Sequence, residues 1–157
     1  MKTILDNCKT LFLDGLLYNE SLQIVVSEGF VLDETQSIQI GEITLDDVKP
    51  IERTEESRQF KVEFDFDDLI NFQVIDESYS TFDKNEIRDT HGFLQVISKS
   101  EYLSFVEKNH GWYKDVIGEE GKHYRLWTEH DVIDVISINE PKIEKIKPGP
   151  SGAEINA

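Results

Sequence analysis

Even-numbered positions between Phe60 and Val74 are predominantly apolar: Phe60, Val62, Phe64, Phe66, Ile70, Phe72 and Val74 alternate with Lys61, Glu63, Asp65, Asn71 and Gln73. Alternation at a period of two is strand patterning, one face toward a core and the other toward water. A single strand of that length would run about 50 Å at ~3.3 Å per residue, too long for a small domain, so the chain must bend. A two-residue loop at Asp67-Asp68 would move Asn71 and Gln73 onto the aromatic face. An odd loop centred on Asp68 preserves the parity and pairs Phe64 with Phe72 and Val62 with Val74. The pattern predicts a hairpin, aromatic on one face and acidic on the other.

Elsewhere the periodicity switches. Ile4, Leu5, Cys8, Leu11 and Phe12 fall at helical spacing with Gly15 placed to end a first helix, although residues 10–18 also read as a strand. Residues 21–26 and 30–32 read as strands around a turn at Glu28-Gly29, and 37–44 alternates as one strand. Residues 93–98 form the next strand, and Ser98-Lys-Ser-Glu101 has the spacing of a capping box ahead of a helix over 100–109. Strands follow over 122–128 and 131–138. The second is apolar on both faces through Val132, Ile133, Val135 and Ile136, which predicts a central position. The pattern gives an α+β fold: one domain over 1–146, a largely antiparallel sheet with one or two helices packed on it, and a flexible tail over 147–157.

At 157 residues the chain is long enough for one core without disulfides or metal. Its single cysteine, Cys8, reads as a buried small hydrophobe. Asp6, Asn7, Lys9 and Asp14 break up the N-terminal apolar residues, so no signal peptide is read there, and no segment approaches a membrane span; the chain is expected to be cytoplasmic. The net charge of −16 is unevenly spread: residues 33–78 hold 14 acids against four bases, a balance of −10. That disfavours direct nucleic-acid binding, which needs clustered Lys and Arg, and favours a basic protein partner.

Candidate chemistry is sparse. A calcium loop begun at Asp65 would place Leu69 and Ile70 where a ligand and glycine are required. His91, His110, His123 and His130 show no ligand spacing, and Asp115 with Glu120-Gly121-Lys122 lacks the rigid strand of a metal-dependent nuclease. No metal, cofactor or catalytic set is expected. Trp112 and Tyr113, beyond the helix cap, and Phe82, in the polar connection, are either lids over the core or exposed anchors.

With the −10 balance of residues 33–78 and the run Glu63, Asp65, Asp67, Asp68, the chain resembles, as a class, the small acidic immunity proteins with which bacteria neutralise their own basic nuclease toxins. The resemblance implies a stoichiometric inhibitor that covers a toxin's active site. The expected partner-binding residues are Glu63, Asp65, Asp67 and Asp68, with Trp112 and Tyr113 next. A nucleic-acid mimic and a small enzyme or ligand-binding domain with a histidine-containing pocket are the other classes open.

Overall fold

The computed structural model describes residues 2–81 and 83–147; the expected tail, apart from Lys147, and Phe82 lie outside them. Two antiparallel sheets face each other. The first has the order β1 (Thr10–Tyr18), β2 (Ser21–Val31), β6 (Gln59–Asp65), β12 (Lys142–Ile146), with the short β5 (Ile51–Glu52) beside the end of β2. The second has the order β7 (Leu69–Asp76), β11 (Asp131–Ser137), β10 (Lys122–Trp127), β9 (Leu94–Lys99), β8 (Ile87–Arg88). A separate two-stranded hairpin is formed by β3 (Gln36–Ile40) and β4 (Ile43–Val48). This is the α+β architecture expected, largely antiparallel, with helices α1 (Glu101–His110) and α2 (Tyr113–Ile117).

The core lies between the two sheets. Leu22, Ile24, Val26, Phe60, Val62 and Phe64 from the first meet Leu94, Tyr124, Leu126, Ile133 and Val135 from the second, all buried. Phe64 sets its ring edge against Tyr124 at 5.5 Å between centroids, a favoured aromatic geometry. The other face of the second sheet is covered by α1, whose Tyr102 packs on the His123 ring. β11 is central, as its two apolar faces require: one looks into the core and the other lies under the helix.

Several expectations are corrected. β6 and β7 do not pair; β6 pairs with β2 and β12, and β7 with β11. The residues between them carry the chain from one sheet to the facing one, so Phe72 keeps the inward parity of Phe60, Val62 and Phe64 without sharing a ladder with them. Val74, expected inside, is 44% exposed, and the odd-numbered Leu69 packs on the core beyond a register shift. The first helix shrinks to a 3-10 turn over Ile4–Asn7, and the alternation from Thr10 wins as β1. Gly29 does not turn the chain: β2 runs straight through it, and glycine is needed there because a Cβ would lie 2.4 Å from the Phe12 ring. The expected strand over 37–44 is instead a hairpin folded at Gly41, whose φ of 60° suits the first position of a two-residue loop. Ser100, not Ser98, caps α1, with its Oγ accepting from Leu103 N–H at 3.0 Å.

Candidate interaction surfaces

The four acids of the expected cluster have four different surroundings. Glu63, on the outer face of β6, accepts from Lys61 Nζ at 2.9 Å, Ser21 Oγ at 2.8 Å and Gln23 Nε2 at 3.2 Å. The Lys61 hydrogen bond, then that of Ser21, lowers its pKa. Asp68 is half-buried, accepts from Asn139 Nδ2 at 3.1 Å, and takes Ile138 N–H on its carbonyl at 2.9 Å, which latches the crossing segment to the end of β11. Asp65 is exposed, 3.6 Å from the equally open Lys142. Asp67 is exposed and takes no side-chain hydrogen bond from the described residues. Asp65 and Asp67 are therefore the members open to a partner.

Beside them is a feature the alternation concealed. Phe66, expected in the core, is 52% exposed because β6 ends at Asp65. It stacks on Tyr18, itself 51% exposed, at 6.2 Å between centroids and 19° between planes, and Tyr18 leans on Phe72 at 5.4 Å. The pairing of Ser21 with Asp65 brings the end of β1 to the end of β6 and so creates this aromatic group. Trp112 and Tyr113 divide between their two expected roles. Tyr113 is half-buried, and its hydroxyl accepts from Gly121 N–H at 3.0 Å, pinning the approach to β10. Trp112 is 77% exposed, with Val116 equally open one helical turn later.

Among the described residues the β3–β4 hairpin pairs with no other strand, and all five residues of β3 are exposed. Its register sets Ile38 opposite Leu45 and Ile40 opposite Ile43, a four-residue aliphatic row on one face. These side chains are 39% to 64% exposed. A register shift between Gln36 and Ile38 accompanies Asp47 at φ 58°, a left-handed conformation that Asp tolerates.

A buried polar network lies between the second sheet and α1. His123 is fully buried; its Nδ1 is 2.8 Å from Ser100 Oγ and its Nε2 is 2.7 Å from Asp134 Oδ1. Asp134 also accepts from Arg125 Nε at 2.7 Å and Gln73 Nε2 at 3.0 Å, and Arg125 reaches Glu86 at 2.9 Å. Burial alone would raise the Asp134 carboxyl; hydrogen bonds and charge from His123 and Arg125 outweigh it and hold the pKa at about 2. Ser, His and Asp are the residue types of a hydrolase triad. Here the ring is sealed from solvent, and the Ser100 hydroxyl already serves as the helix cap. The network ties the start of α1 and the loop bearing Glu86 to the sheet, a structural role.

Two clefts open on the surface. One of about 410 Å³ lies beside the network, lined by Tyr79, Asp83, Glu101, Tyr102 and Arg125 among others. The other, about 850 Å³, is lined by Lys2, Arg88, His91, Phe93, Gln95 and Trp127 among others. In its wall, Gln95 Oε1 and Trp127 Nε1 are buried without a hydrogen-bond partner among the described residues.

Among the described residues, no three His, Cys, Asp or Glu side chains are grouped to hold a metal ion, and no helix is long and apolar enough to cross a membrane. Comparison with protein-family models, curated proteins and solved structures gave no match.

Proposed function

We propose that this chain is an acidic protein-binding inhibitor of the immunity-protein kind, which neutralises a basic, nuclease-type toxin in the cytoplasm by stoichiometric binding. The observation that carries the reading is the half-exposed Tyr18–Phe66 stack beside the exposed carboxylates of Asp65 and Asp67, in a chain of net charge −16. Aromatic side chains at the centre of an interface supply most of its energy, and acids at its rim steer a basic partner in. Glu63 and Asp68 are engaged within the fold, so in this reading they hold the surface in shape while Asp65 and Asp67 meet the partner.

The test is to co-express this chain with the product of the adjacent reading frame and purify through a tag on one of them. A one-to-one complex with a basic chain, its nuclease activity suppressed on mixing, is expected. A neighbouring product that is acidic or fails to bind contradicts the reading.

A second reading, a ligand-binding domain, is favoured by the larger of the two clefts, where an exposed His91 lines the wall and Gln95 Oε1 and Trp127 Nε1 lack partners among the described residues. In a Trp112→Phe background, Trp127 fluorescence should shift during titration with a small-metabolite library if this reading holds, and stay constant if it does not.

A further inference from the structure

We infer that the β3–β4 hairpin is a docking arm whose aliphatic row, Ile38, Ile40, Ile43 and Leu45, seats in an apolar groove of a basic protein. A two-stranded hairpin outside any larger sheet is marginal in water, and this one leaves four aliphatic side chains 39% to 64% exposed. Charge selects the occupant. Residues 33–56 carry eight acids, all exposed, and two bases. Of those bases, Arg53 is committed to Asp14 at 2.8 Å, while Lys49 approaches only Asp33, at 3.9 Å. The other seven acids have no cation partner among the described residues. A second copy of the chain would bring another −16 against this segment, whereas a basic surface complements it.

The arm is separate from the aromatic end. β2 begins at Ser21, paired with Asp65, and ends at Val31, paired with Ile51 next to the hairpin. Ten residues of strand span about 33 Å at ~3.3 Å per residue, comparable with the width of a standard interface of roughly 800 Å² per partner. The hairpin therefore engages a region of the partner distinct from the one facing Tyr18 and Phe66.

The inference rests on the proposed function in taking the partner to be basic, and one experiment separates the two. p-Benzoylphenylalanine is introduced in place of Ile40 in one variant and of Phe66 in another, the producing cells are irradiated, and adducts are identified by mass spectrometry. The expected result is an adduct from position 40 with a basic chain, whose binding in purified form falls at least tenfold on Ile40→Thr plus Ile43→Thr. A basic chain captured from position 66 alone overturns the docking arm and leaves the proposed function standing. An adduct of two copies of this chain, an adduct with a neutral or acidic chain, or none at position 40 also overturns the arm. The proposed function falls with it when position 66 yields no basic chain either.

Discussion

Ile40 stands directly opposite Ile43 across the Gly41-Glu42 loop, and the two side chains are 62% and 64% exposed. A cross-strand aliphatic pair stabilises a sheet most where it is also buried; this one is largely open to solvent, so it adds little to folding. Ile40→Thr plus Ile43→Thr should change the free energy of unfolding in urea by less than about 0.5 kcal/mol, the range for surface positions. Ile24→Ala or Ile133→Ala, each emptying a fully buried site, should cost about 2 to 5 kcal/mol.

Asp134 sets an acid limit on stability. Its folded pKa is about 2 against an ordinary 3.8, a difference worth about 2 kcal/mol. Because the folded value is depressed, that stabilisation is complete above the unfolded value and is lost as the pH falls from about 4 toward 2. Urea midpoints measured from pH 5 to pH 2 should fall steeply in this window. Asp134→Asn should flatten that part of the slope and cost about 3 to 5 kcal/mol at neutral pH, where it leaves Arg125 short of a buried counter-charge.

Much of this arrangement is legible in the sequence, and the failures have physical causes. The interior positions of Phe60, Val62 and Phe64 and the central place of β11 follow from alternation and from a run apolar on both faces. The partner of β6 does not: a chain crossing to a facing sheet keeps the same inward parity as a hairpin, so parity cannot separate them. Gly29 looks like a turn residue, but it is required by the approach of Phe12, a contact between neighbouring strands that no local pattern encodes. The buried network carried a usable sign. Asp134 interrupts the apolar run Val132, Ile133, Val135, Ile136, and an acid at a buried position needs cationic or hydrogen-bonding partners. Arg125 stands opposite it in the ladder. The exposure of Tyr18 and Phe66 had no such sign, since it depends on where β1 and β6 end.

Cys8 should be inert as a nucleophile. Burial, and next the charge of Glu28, raise its pKa and outweigh the opposing charge of Arg58, whose guanidinium donates to Sγ at 3.6 Å. An aromatic disulfide reagent at pH 8 should therefore label native protein at least tenfold more slowly than urea-unfolded protein. Equal rates would place the thiol at the surface.

The central claim is that exposed acids beside the Tyr18–Phe66 stack bring in a basic protein. The most direct measurement is the stopped-flow association rate of the purified partner with wild type and with Asp65→Asn plus Asp67→Asn, at low and at physiological salt. If the acids steer encounter, the variant associates several-fold more slowly at low salt, and added salt slows the wild type far more than it changes dissociation. Identical association rates for the two proteins at both salt concentrations, with the fold intact, would contradict the account.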